Sequence, residues 1–469
     1  MTDNKQKGKE EKLYLSSQLI PEWLRNYLRT KLYDSHLEEL FEGSSIAFVL
    51  KVVGKITGYL FMLLVTRKFG AYTVGIYALS LTVLEIFAII GKLGFDGALL
   101  RFASEYSTLN RMDLAKKVYQ KILKFVIPEC VLLSMVLFYF SSYIATNLFH
   151  KEYLSSYLRI AAIALLPMVL IVINLEGLRG LKKIKEYSFL QSISIPLFAS
   201  IILIVLLFFI NGIYLPFISH IGSIFIVCII SFIIWIRCFR NHSAPDSEQV
   251  GWKALFNVSL PMFLSGSLFL IMGWTDNIML GIYRSESEVG IYSIVLKIFY
   301  TAGITGYAIN VIAAPKFAEL YASRDKTRLG SMARQTTKLI SWTSFPILAI
   351  FLILPSFILG FFGHDFRNGS QALRLLVLGQ FVNVICGPVG LILLMTGKQH
   401  VFQVIVLFAS LINLVLNVLL VPAYGINGAA FASMVSLAFW NICSVIYIKS
   451  YLNILTVYLP MVKMRVKYK

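Results

Sequence analysis

Charge is what this sequence has least of. Only 14% of its 469 residues are Asp, Glu, Lys or Arg, where a soluble domain carries about 25%. That shortage stands beside 58% hydrophobic residues and a mean hydropathy of +0.75. It argues against a soluble fold and for a membrane protein. Cysteine is scarce as well. The five cysteines (Cys130, Cys228, Cys238, Cys386, Cys443) form no CxxC pair or metal spacing and lie in or beside apolar stretches. They read as small buried hydrophobes. The six histidines are scattered, mostly at span ends or in loops, so no metal site is expected. A P-loop, a Gly-rich nucleotide fingerprint and an HExxH pair are all missing. Neither ATP-driven transport by this chain alone nor a bound cofactor is expected. No loop is long enough to fold an ectodomain. The segment 1–40 is polar and basic, with Lys5, Lys7, Lys9 and Lys12, and contains no signal-peptide core.

What is present is a series of apolar runs. Twelve spans are expected, near 46–66, 74–94, 122–146, 157–178, 188–210, 214–236, 254–280, 289–313, 339–361, 371–395, 401–421 and 427–448. About 20 residues at 1.5 Å each cross a hydrocarbon core of about 30 Å. The net charge of +19 is carried mainly by the short loops between them. With these spans, 30 Lys and Arg fall on the N-terminal side of the membrane and 7 on the other. Such a bias places both termini in the cytoplasm of a multi-pass protein of the cell (inner or plasma) membrane. It also explains the basic charge without nucleic acid. Ahead of the spans, Leu24, Leu28 and Leu32 recur every fourth residue with Arg25, Arg29 and Lys31 between them. This is an amphipathic helix suited to an anionic membrane surface or to packing on the bundle.

The chain also repeats itself. Val74-Gly75-Ile76-Tyr77 returns as Val289-Gly290-Ile291-Tyr292, an offset of 215 in the numbering. At the same offset Arg101-Phe102-Ala103 falls on Lys316-Phe317-Ala318, Tyr106 on Tyr321, and Leu158-Arg159 on Leu373-Arg374. Two copies of one unit are therefore expected. The divisions are a cytoplasmic extension 1–43, a six-span lobe 44–240, a linker 241–253, a second lobe 254–450 and a basic tail 451–469. An even number of spans per copy gives parallel repeats, an arrangement of transporters whose substrate site lies between the halves. Pro128, Pro167, Pro196, Pro346 and Pro388 fall within spans and predict bent helices.

Function is sought among ionisable groups inside spans, each costing several kcal/mol unless it faces a cavity or a partner. Lys51 and Lys55 share a face of the first span, with Gly54 and Gly58 allowing close packing. Glu85 sits mid-way along the second span, Asp276 toward the end of the seventh, and Lys297 in the eighth, where the first copy has Thr82. These belong to the first two spans of each copy and would converge on one cavity. Lys51, Lys55 and Lys297 are the candidate binders of an anionic head group such as a pyrophosphate. Glu85 and Asp276 are candidates for ion coupling or for ion pairing, Lys55 with Glu85 for example. Glu129 and Glu176 read as structural, and Arg101, Lys316, Arg159 and Arg374 as snorkelling to head groups.

The two six-span halves, the Gly-Ile-Tyr after the first span of each, and Pro315-Lys316-Phe317-Ala318-Glu319-Leu320-Tyr321 carry a resemblance. Over about residues 40–450 the chain resembles the polysaccharide-transporter branch, the O-antigen-type flippases, of the multidrug/oligosaccharidyl-lipid/polysaccharide exporter superfamily. The resemblance implies an all-α membrane fold of two lobes forming a V around a cationic central cavity. It implies flipping of a polyprenyl-(pyro)phosphate-linked oligosaccharide from the cytoplasmic to the outer leaflet, coupled to an ion gradient. The implied partners are that substrate, membrane lipids and H+ or Na+, with the protein a monomer and not an enzyme. Three alternatives remain open: an ion-coupled multidrug exporter of the sister branch, which an excess of cavity carboxylates would favour; a membrane-embedded glycan polymerase or ligase, which the short outer loops disfavour; and a flippase-like scaffold without transport.

Overall fold

A chain in hydrocarbon must satisfy its backbone hydrogen bonds internally, and here the described segments do so as helices, with no strand among them. The computed structural model describes residues 35–239 and 250–458, without the side chains of 35–46 and 264–270. The expected amphipathic helix, most of the linker and most of the basic tail lie outside the described residues. From Leu50 onward the chain packs as one unit.

In the first half α1 runs Ser35–Lys92, α2 Phe95–Thr108, α3 Met112–Tyr143, α4 Leu154–Gly180, α5 Ile184–Phe189, α6 Ile195–Phe209 and α7 Leu215–Phe239. In the second half α8 runs Trp252–Tyr283, α9 Glu286–Thr301, α10 Ile304–Ala322, α11 Lys326–Ile353, α12 Pro355–Gly360, α13 Ser370–Cys386, α14 Val389–Met395, α15 Gln399–Tyr424 and α16 Ile426–Leu452. Among the described residues nine helical stretches are long and apolar enough to cross a membrane, and α9 with α10, bent by 42°, supplies a tenth. This is a multi-pass membrane protein. Phe208, Phe209 and Tyr139, about 80% exposed, are natural lipid-facing side chains on such a bundle.

The breaks have local causes. α1 is helical on both sides of Gly70, whose φ of 75° and ψ of −178° interrupt it. Only glycine takes that conformation at low cost. Gly387, at φ 78° and ψ −156° just before Pro388, separates α13 from α14. The span expected at 371–395 is therefore two helices. The span expected at 339–361 ends at Leu354, where Pro355 starts α12. A five-residue π-helical turn, Leu190–Ser194, joins α5 to α6. Pro128, Pro167 and Pro346 lie inside α3, α4 and α11.

One expected loop is ordered. The charges of residues 95–118 predict a connection, yet 95–108 form α2. Phe95, Ala98, Leu99, Phe102 and Ala103 make its buried stripe, the spacing of an amphipathic helix. The repeat shows in the backbone as well. Lys182 and Gly397, 215 apart in the numbering, both carry the turn to the next helix at positive φ, 58° and 72°.

The candidate functional site at the seam of the two halves

The first helices of the two halves pack against one another. α9 lies antiparallel along the part of α1 before Gly70, and α8 along the part after it. Tyr59 Oη donates to the Lys297 carbonyl at 2.7 Å and also meets the Thr301 hydroxyl. Lys297 Nζ donates to the Gly58 carbonyl at 2.9 Å. On the other side of the seam Trp274 Nε1 donates to Glu85 Oε2 at 2.8 Å, and Asn277 Nδ2 to Thr82 Oγ1 at 3.4 Å. These contacts obey the sequence repeat. Tyr59 and Trp274 are separated by the same offset of 215, as are Gly58 and Gly273, and Thr82 and Lys297.

The repeated Val-Gly-Ile-Tyr motif brings the backbones of the halves together. A Cβ on Gly75 would lie 1.8 Å from the Glu286 carbonyl oxygen, and one on Gly290 would lie 2.0 Å from that of Ala71. Ala71 and Glu286 are related by that offset too, so this is one contact made twice about a pseudo-two-fold. On the same side of the bundle Arg67 of the first half donates to the Phe361 carbonyl at 2.8 Å. Lys151 donates to the Arg284 carbonyl at 2.9 Å and stands 3.7 Å from Glu286. That face is laced shut.

Two of the lysines singled out from the sequence lie on neighbouring turns of α1, and Lys297 reaches the same helix at Gly58, three residues beyond Lys55. Lys51 reaches across to the second half, its Nζ 3.3 Å from the centroid of the Tyr307 ring. Gly54, between the two α1 lysines, lets α1 close onto the π-turn: a Cβ there would lie 2.4 Å from the Ser192 carbonyl oxygen. No ion pair joins Lys55 to Glu85 among the described residues. Glu85 is held by Trp274 instead.

Asp276 does not join them. It is 1% exposed and turned into the second half. Tyr292 Oη and Ser433 Oγ both donate to Oδ2 at 2.6 Å, Asn417 Nδ2 donates to Oδ1 at 2.8 Å and Asn413 Nδ2 at 3.4 Å. The Oδ1 atoms of Asn413 and Asn417 are buried without a hydrogen-bond partner among the described residues. A carboxylate with two spare amide oxygens beside it is the hard-oxygen donor set that suits a small cation. Tyr292 is the motif tyrosine. Its counterpart Tyr77 bonds to His220 Nδ1 at 2.9 Å, with Phe61 against the imidazole. Each motif tyrosine thus holds one ionisable group inside its own half.

His220, Trp274 and Tyr307 are not visible as site residues in the sequence alone. The internal offset could have found Trp274, as the partner of Tyr59. Of the residues read as structural, Glu176 pairs with Arg179 at 3.2 Å. Lys316, expected to snorkel, pairs with Glu319 at 2.8 Å.

An all-helical chain with nine or ten membrane-crossing stretches among its described residues defines a class, the multi-pass membrane proteins. Residues 40–320 match the family described as polysaccharide biosynthesis protein, and the chain belongs to that family. Residues 261–419 also match the MatE family. A probable flippase, AglR of Haloferax volcanii, is 23% identical over 417 residues, covering 87% of this chain and 83% of the relative. The capsular polysaccharide biosynthesis protein CapF of Staphylococcus aureus is 23% identical over 217 residues, 45% of this chain and 55% of the relative. Among solved structures, the lipid II flippase MurJ in an inward closed conformation aligns with a TM-score of 0.70 at 15% identity, over 86% of this chain and 87% of that one. The MATE multidrug transporter DinF-BH aligns with 0.62 at 18% identity, over 90% and 97%. At such identities these two structures speak for the fold.

Proposed function

We propose that this protein flips a polyprenyl-(pyro)phosphate-linked oligosaccharide from the cytoplasmic to the outer leaflet by alternating access, for surface polysaccharide biosynthesis. The observation that carries the reading is the lysine group at the seam. Lys51, Lys55 and Lys297 stand where the halves meet, Lys51 over Tyr307 and Lys297 on the Gly58 carbonyl of the helix that carries Lys55, against one carboxylate, Glu85. A group of like charges at a repeat interface is costly unless an anion completes it, and phosphate matches lysine. A cation exporter would want the opposite balance. The family match and the flippase names of relatives agree with this. The protein acts as a transporter rather than a catalyst and works as a monomer.

The same proposal fixes the architecture. α1, counted once among the ten spans above, covers two membrane crossings, one on each side of Gly70, and α8 with its 32 residues is long enough for one more. This gives twelve, in two parallel lobes at 44–240 and 254–450 around a central cavity, with both termini cytoplasmic in the cell membrane. The laced face is then the outer one, closed here. For ion coupling we propose Asp276, with Asn413, Asn417 and Ser433, as the site of H+ or Na+. Glu85 is assigned to the seam, where its bond to Trp274 ties the lobes.

The test is the Lys51→Ala/Lys55→Ala double variant, expected to insert normally and to lose surface glycan. Normal glycan display by that variant would sink the assignment.

A further inference from the structure

Tyr307 lies in the second turn of α10 and is half exposed, at 50%. A tyrosine facing lipid would be unremarked, but this ring has the Lys51 ammonium over its face at 3.3 Å. A charged amine does not sit in hydrocarbon, so the ring faces the polar space of the seam. What covers it there is a side chain reaching from the other half. One turn on, Asn310 has a buried Oδ1 without a hydrogen-bond partner among the described residues, and residues three apart share a helix face. A half-exposed aromatic ring under a displaceable cation and an amide acceptor without a donor among the described residues together match a pyranose bearing a phosphate. The C–H face of a sugar stacks on the ring, a hydroxyl donates to the amide, and the phosphate draws the lysine.

We propose that Tyr307 is the glycan-stacking residue of this protein, with Asn310 as hydroxyl acceptor, and that Lys51 covers the ring until a pyrophosphate draws it away. The proposal rests on the reading of Lys51 and Lys55 as phosphate binders. It adds a specificity determinant for the sugar. It also makes the Lys51–Tyr307 contact a tie between the halves that the substrate itself releases.

The experiment measures binding to full-length protein in nanodiscs with two probes, undecaprenyl pyrophosphate and undecaprenyl pyrophosphate carrying an N-acetylhexosamine-containing disaccharide. Wild type should bind the sugar-bearing probe more tightly. Tyr307→Ala should weaken that probe about tenfold, the scale of one aromatic contact, while leaving the bare lipid bound at least as well. Tyr307→Phe, which keeps the ring and guards against misfolding, should behave as wild type. The proposal is overturned if wild type does not distinguish the probes, if Tyr307→Ala weakens both equally or neither, or if Tyr307→Phe matches Tyr307→Ala. The phosphate reading fails separately, if Lys51→Ala/Lys55→Ala binds the bare lipid like wild type.

Discussion

The side chain whose surroundings say most is Asp276. Four donors converge on its two oxygens, and beside it stand two amide oxygens without a hydrogen-bond partner among the described residues. If it holds a coupling cation, NaCl titrated against a choline chloride control should raise the Tm of the purified protein. Asp276→Asn should abolish that rise, since removing the charge removes the principal ligand. An equal sodium response in the variant would show that the ion acts elsewhere. Tyr292→Phe should cost about 1–3 kcal/mol in unfolding assays, because it leaves a buried acceptor short of one donor. Composition and span placement were enough to single out Asp276, Lys51, Lys55, Glu85 and Lys297. They could not say that Asp276 turns into its own half. That depends on helical phase and on partners such as Asn417 and Ser433, which lie 141 and 157 residues away in sequence. Glu85 likewise finds an indole 189 residues away rather than the lysine one would pair with it on paper.

At the scale of elements the motif around Gly75 and Gly290 is the contact that closes one face. The sequence shows it as a repeat. That the two copies touch, each glycine against the carbonyl before the other, is a fact of packing that no periodicity contains. Since a Cβ at either glycine would lie 2.0 Å or less from a carbonyl oxygen, even alanine must push the helices apart. Gly75→Ala and Gly290→Ala should each favour the state open on that face, and to a similar degree because the contact is pseudo-symmetric. In a background without the native cysteines, the Lys151→Cys/Glu286→Cys double variant reports it through a short bifunctional thiol cross-linker that spans the site of the ion pair. Cross-linking should be efficient with both glycines intact and fall with either alanine. Undiminished cross-linking would remove the glycine contact from any gating role. The existence of the apolar helices was legible, because the apolar runs are long. The break at Gly70 falls in the gap expected between 66 and 74, whereas those at Gly387 and Leu354 cut expected spans, since a span-length run does not announce where a turn of unusual φ will fall. α2 is hidden for another reason. In residues 95–118 the charges dominate the pattern, and the buried stripe from Phe95 to Ala103 is short beside them.

For the whole molecule the internal offset of 215 is the most far-reaching feature. It pairs Gly58 with Gly273, Tyr59 with Trp274 and the two glycines of the closed face. These pairs support the proposal that the halves are one scaffold used twice in the same direction. The halves differ where the chemistry differs: Lys297 against Thr82, and Asp276 under Tyr292 against His220 under Tyr77. A parallel repeat requires an even number of crossings in each half, and that requirement is testable without a ligand. Single cysteines at Asn110, Lys182 and Arg324 occupy turns on one face, and those at His150, Ser285 and His364 occupy turns on the other. In intact cells lacking the native cysteines, an impermeant maleimide should label the second group at once and the first only after permeabilisation. If one span were missing, the faces would invert from that point on. His150 and Ser285, at the outer ends of the third and seventh crossings, would then label oppositely. That result would dissolve the pseudo-two-fold seam together with the binding site placed on it.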